Sequence, residues 1–225
     1  MEECCRILPH VVIEISKLFK KTAESSSAPR VELPPDKLQP VSRPQTPECA
    51  HPERWSAFDD LNPEIEVLDF LRTMVMTIKP EIVVQSGARN GVSCIWLAEG
   101  LKVNGEGTLF ASEEDDSLHA LASRRIEASA VVDWIKLSNR ALSESDLNGS
   151  IDLLFLNGKP EDRESELRHF LPKMNPNGVI LMSESNSTIG IVRNTALKLE
   201  HEGLISVVLL PTPSGLVVSQ KRERV

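Results

Sequence analysis

EIVVQSGARNGVSCIWLA, residues 81–98, changes its hydrophobic period halfway along. Ile82, Val83 and Val84 form an unbroken β-branched run, the pattern of a strand covered on both faces. From Gly91 to Leu101 the sequence reads as a helix. Between them stand Gly87 and Gly91. A strand that turns sharply into a helix at a glycine is the opening of a βαβ unit, because glycine enters backbone conformations closed to other residues. The spacing is Gly-x-x-x-Gly, not Gly-x-Gly-x-x-Gly, which counts against a dinucleotide and its pyrophosphate.

The same alternation continues downstream. GTLFAS (107–112) reads as a strand, 117–128 as a helix, DWIKLS (133–138) and IDLLFLNG (151–158) as strands, and ESELRHFLPKM (164–174) as a helix. GVILMSES (178–185) is a strand, TIGIVRNTALKLEHEG (188–203) a helix, and LISVVLLP (204–211) and GLVVSQK (215–221) close the chain as strands. Continuous Val/Ile/Leu runs predict a parallel sheet sandwiched between helices. Too few residues separate the last two strands for a parallel crossover, which needs a dozen or more, so the final strand is expected to run antiparallel. Upstream, Asn62-Pro63 with Glu64 and Glu66 predicts a helix start, with Asn62 as cap and Val67, Leu71, Met74, Val75 and Ile78 as its buried stripe.

Three segments follow. Residues 1–22 are expected to hold an amphipathic helix, with Leu8, Val11, Val12, Ile15, Leu18 and Phe19 at helical spacing, suited to docking or to pairing two copies. Residues 23–54 begin with a serine run and carry prolines from Pro29 to Pro52, so they read as a linker or extended arm, unsuited to joining a sheet. The α/β domain is expected over 55–225. A net charge of -8 and a pI of about 5.2 argue against general nucleic-acid binding. No apolar run approaches the roughly 18 residues of a membrane span. Cys4, Cys5, Cys49 and Cys94 form no CxxC pair, and the N-terminus has no secretory pattern, so a reducing cytoplasm is the expected compartment.

Seven strands in a mostly parallel, doubly wound α/β sheet of Rossmann-like type, the last returning by a hairpin, resemble the class I S-adenosylmethionine-dependent methyltransferase fold. The stretch 81–98 is similar to the first motif of small O-methyltransferase-like enzymes, with Gly87 and Gly91 matching and Gln85 where the family carries an acid. The resemblance implies S-adenosylmethionine as cofactor and a small-molecule methyl acceptor. It implies cofactor contacts from Gln85, Gly87, Ala88, Asn90 and Gly91 at the first turn and from Asn157 after the fourth strand, the helix after the first turn offering free N–H groups to a carboxylate. Glu113, ending the second strand in LFASEEDD, would hold the ribose. Ser138 and Asn139 would border the adenine, with Arg140 standing where an acid is expected.

The fourth strand departs from the family. Asn157, Lys159 and Pro160 replace its Asp, Asp and His, while Gly158 is kept, and Ser183 and Glu184 follow the fifth strand. Magnesium-type ions need hard anionic oxygens, so no metal is expected. Methyl transfer from a sulfonium asks mainly for alignment and desolvation, leaving Lys159 and Glu184 as candidate catalytic residues at the sheet edge. The expected activity is metal-free O-methyl transfer to a small molecule. The alternatives are a catalytically silent relative that binds cofactor or partner, and a nucleotide-dependent oxidoreductase, which the glycine spacing disfavours.

Overall fold

A computed structural model describes residues 39–222, apart from 42, 143–146, 148 and 187–189. The expected N-terminal helix therefore lies outside the described residues. The described part belongs to a compact unit spanning Pro34–Val225. Its centre is a seven-stranded sheet of order β3-β2-β1-β4-β5-β7-β6. The strands are β1 (Ile82–Ser86), β2 (Thr108–Ser112), β3 (Ile135–Ser138), β4 (Ile151–Leu156), β5 (Met174–Ser183), β6 (Ile205–Leu210) and β7 (Leu216–Lys221). Strands β1 to β5 pair in parallel, and β7 runs antiparallel to both β5 and β6. The strand order reverses between β1 and β4, which makes the C-terminal ends of those strands the switch point where open α/β sheets bind ligands.

The helices are α1 (Ile65–Ile78), α2 (Val92–Asn104), α3 (Asp116–Glu127), α4 (Arg163–Phe170) and α5 (Ile191–His201). Val83, Leu109, Leu153, Leu154, Leu181 and Val217 are fully buried, the condition that explains why these strands are apolar throughout instead of alternating. Asp115 caps α3, its Oδ1 accepting from the Ser117 and Leu118 N–H groups. Helix α4 gives way at Leu171–Lys173 to a 3-10 turn around Pro172, and strand β5 already starts at Met174, where the sequence reading still had helix.

Two further expectations change. Helix α1 starts at Ile65, and Asn62 does not cap it; the N-cap position is Glu64, whose side chain makes no cap bond. Glu64 is 1% exposed and accepts from the Ser214 N–H (2.7 Å) and hydroxyl (2.5 Å) in the β6–β7 turn. Part of the expected arm is domain: Gln39–Pro40 pairs antiparallel with Ser56–Ala57, and Val41 and Cys49 are buried. Proline tolerates this place because the ladder is only two strands wide, and the next N–H, from Val41, supplies the bond to the Trp55 carbonyl (2.9 Å). The connection from β3 to β4 shows no helix among its described residues; Leu142 belongs to the core cluster that holds Ile82, Val84 and Phe110, and Leu147 packs against that cluster.

Candidate functional site

The first turn is built on a backbone-to-backbone contact. Gly87 has φ of +75°, and a β-carbon there would lie 2.3 Å from the Gly158 nitrogen and 2.4 Å from its α-carbon. The turn after β1 thus rests directly on the turn after β4. The Ser86 carbonyl accepts from the Asn157 N–H (2.8 Å) and the Ser112 carbonyl from the Ala88 N–H (2.8 Å), extending the ladder past the strand ends. Gly91, φ +84°, faces Ala122 of α3.

Several residues expected at the cofactor are spent inside the protein. Gln85 is fully buried; its Nε2 donates to the Gly87 carbonyl (3.1 Å) and Ser93 Oγ (2.7 Å), and Cys94 Sγ donates to its Oε1 (3.4 Å). Burial pushes the Cys94 thiol well above its ordinary pKa. Asn157, 1% exposed, donates to the Gly87 carbonyl (3.3 Å) and accepts from Ser183 Oγ (2.6 Å). Ala88 is fully buried. Asn90, 2% exposed, accepts from Asn62 Nδ2 (3.0 Å) and donates to Asp59 Oδ2 (2.8 Å). Val92, Ser93 and Cys94 in the first turn of α2 are likewise buried. The helix start expected to receive a carboxylate is packed under the turn, because Gly91 brings it against α3.

Glu113 stands where the reading put it, at the end of β2. Its Oε2 accepts from the Arg89 N–H (2.6 Å), its Oε1 from the Asp115 N–H (3.1 Å), and its own N–H donates to the Ser138 carbonyl (3.0 Å). A carboxylate has about four acceptor sites, so these two bonds leave room for a ribose diol. Beyond Ser138 opens a cavity of about 690 Å³, lined by Phe110, His119, Lys136, Leu137, Ser138, Asn139, Arg140 and Leu142. Lys136 Nζ lies 4.8 Å from the Phe110 ring centroid. Ser138, Asn139 and Arg140, three residues singled out in the sequence, therefore share one hollow, and the carbonyl of Ser138 in its wall accepts from the Glu113 backbone N–H.

The edge of β4 and β5 holds a charged cluster that the sequence reading missed. Arg89, in the left-handed region at φ +51°, reaches across the strand ends. Its Nε donates to the Asn157 carbonyl (2.9 Å), and its Nη2 to the Gly158 carbonyl (3.4 Å) and to Glu184 Oε1 (2.6 Å). Arg163, fully buried, donates to the same Gly158 carbonyl (2.9 Å) and meets Glu166 Oε2 at 3.4 Å. Ser86 Oγ donates to the other oxygen of Glu166. Burial lifts the Glu166 carboxyl above the usual carboxylate range, against the pull of Ser86 and Arg163. Of the two candidate catalytic residues, Glu184 is bound to Arg89, and Lys159 is exposed beside the turn. The only signal for Arg89 in the sequence is a cation placed between the two glycines.

Residues 84–185 match the family described as a methyltransferase domain. No curated protein matches the chain. Among solved structures, an O-methyltransferase from Bacillus cereus in complex with SAH aligns with a TM-score of 0.63 at 17% identity, over 73% of this chain and 84% of that one. The O-methyltransferase TomG of Streptomyces achromogenes, in complex with SAM, gives 0.63 at 17%, over 73% and 83%. An SAH-bound methyltransferase of Podospora anserina gives 0.65 at 18%, over 73% and 81%. The chain therefore has the fold of class I methyltransferases, and its residues 84–185 are similar to the methyltransferase-domain family.

Proposed function

We propose that this chain binds S-adenosylmethionine and transfers its methyl group to a small-molecule hydroxyl without a metal. The observation that carries the reading is Glu113. It follows β2 with two backbone N–H groups already fixing its orientation, one of them from the glycine turn, and its own N–H donates to the carbonyl of Ser138, a residue of the cavity wall. This arrangement suits a nucleoside held at its sugar by the carboxylate, with its base over Ser138 and Asn139. The superfamily match and three relatives solved with SAM or SAH support the choice of cofactor.

The bound cofactor would supply an already activated methyl group, so the protein has to align the acceptor and exclude water. In that transfer the acceptor oxygen would bond to the methyl carbon as the carbon–sulfur bond broke, the sulfur keeping the electron pair. The hydroxyl proton would pass to a base, a role this reading assigns to Glu184, the residue after β5, once it leaves Arg89. Among the described residues no group of His, Cys, Asp and Glu is arranged to hold a metal ion. Among them, too, no helix is long and apolar enough to cross a membrane. Cys49 and Cys94 are buried free thiols, which fits the proposed cytoplasmic setting.

A silent cofactor-binding relative is the second reading, favoured by one observation: Glu184 is neutralised by Arg89 across the strand ends. Calorimetric titration with S-adenosylmethionine tests the binding shared by both readings, and absence of heat removes both. Transfer of a labelled methyl group to any member of a phenol, catechol and hydroxy-acid panel separates them. Binding without transfer across the panel would favour the silent module.

A further inference from the structure

We propose that Arg89 is the residue that takes the carboxylate of the cofactor's amino-acid end, and that it does so by exchanging Glu184 for that carboxylate. The inference rests on the cofactor reading above. Its starting point is the buried start of α2: with Val92, Ser93 and Cys94 packed away, the helix N-terminus is closed to an anion and a side-chain cation has to meet it. Arg163, the other guanidinium of the cluster, is fully buried and committed to Gly158 and Glu166. Arg89 lies at the rim, with a side chain 19% exposed, and spans the ends of β4 and β5 at the switch point of the sheet.

The exchange preserves charge. Arg89 gives up one carboxylate at 2.6 Å and gains another, so its guanidinium is never left uncompensated. Its backbone N–H stays on Glu113, which ties the turn to the sugar-holding carboxylate while the side chain moves. Glu184, on a left-handed backbone position at φ +66°, is released at the same moment and becomes free to take a proton. Cofactor binding thereby arms the base, and the chain without cofactor keeps it neutralised.

The test compares S-adenosylmethionine with its decarboxylated analogue by calorimetry on the full chain. The parent is expected to prefer the carboxylate form by roughly tenfold or more, the scale of one charge-assisted hydrogen bond. Arg89→Gln should bring the two affinities together, and Glu184→Gln should tighten S-adenosylmethionine several-fold by removing the competing carboxylate. An Arg89→Gln protein that keeps the preference overturns the proposal and leaves the cofactor reading standing. A parent that binds neither compound removes both. Should Arg89→Gln fail to fold, Glu184→Gln decides alone: unchanged or weaker binding of S-adenosylmethionine refutes the exchange.

Discussion

Gly87 and Gly158 touch through their backbones: a β-carbon on Gly87 would stand 2.3 Å from the Gly158 nitrogen. The contact sets two neighbouring strand ends at a fixed height, and everything at the candidate site is hung from them. Arg89 reaches Asn157 and Gly158 only because their turn lies immediately beneath its own.

Gly87→Ala should therefore act on stability before it acts on any ligand. The left-handed backbone costs a non-glycine residue about 1–2 kcal/mol, and overpacking adds about 1–3 kcal/mol. The combined loss should lower the thermal midpoint by roughly 5–15 °C for a domain of this size. An unchanged midpoint in a melting experiment would mean that the two turns separate easily, and the rigid platform would be lost with it.

Asp59 is a second point of attachment, this one between the N-terminal segment and the glycine turn. Its Oδ1 accepts from the Leu61 and Asn62 N–H groups and from Asn62 Nδ2, and its Oδ2 accepts from Asn90 Nδ2. Replacing it with alanine strands the amides of Asn62 and Asn90, both nearly fully buried, at about 1 kcal/mol or more for each bond lost. Asp59→Ala should cost about 2–4 kcal/mol in denaturant unfolding. Amide exchange should also quicken at Asn90 and Gly91. Quickening confined to residues 59–62 would show that the turn holds itself without this tether.

The inner strands were readable because they are buried on both faces, and that condition leaves an uninterrupted apolar run at Ile82–Val84 or Leu153–Leu156. Glu113 was readable for a similar reason, since topology alone brings the end of β2 beside the turn after β1. Gln85, Asn157 and Asn90 were not. Their roles depend on where an amide points, and all three point inward to Ser93, Ser183 and Asp59. The contact between Arg89 and Glu184 joins positions 95 apart in the chain, a separation no periodicity reports. Pairing of Gln39–Pro40 with Ser56–Ala57 was hidden by the prolines around it.

Glu166 gives a pH dependence whose sign can be worked out. Burial raises its folded pKa above the unfolded carboxylate value of about 4.3, so the folded chain holds this proton longer than the unfolded chain does. The stability tied to the protonated form is complete below the unfolded value and is lost as pH rises through the folded one. Glu166→Gln mimics the protonated group, so the parent should lose stability relative to this variant as pH rises from the unfolded value through the higher folded one. Urea unfolding across that range checks the slope. A parent that instead gains on the variant would show that the Arg163 guanidinium outweighs desolvation and holds Glu166 ionised.

Glu113 should separate sugar recognition from the integrity of the turn. Its carboxylate is bound by the Arg89 and Asp115 N–H groups, so Glu113→Ala loses those two bonds as well as any to a ligand. Glu113→Gln keeps one acceptor oxygen and turns an NH₂ group toward the second N–H, a milder disturbance of the turn that still removes the charge. Both variants should weaken S-adenosylmethionine by roughly 10–100-fold, the span of one or two hydrogen bonds to a carboxylate. Only the alanine variant should also show a clear fall in thermal midpoint. Adenosine alone makes the comparison sharper, because it carries the sugar and base without the amino-acid end. If adenosine binds parent and Glu113→Gln equally well, the carboxylate serves the turn and not the ribose, and the nucleoside would have to be held by the Ser138 side of the cavity instead.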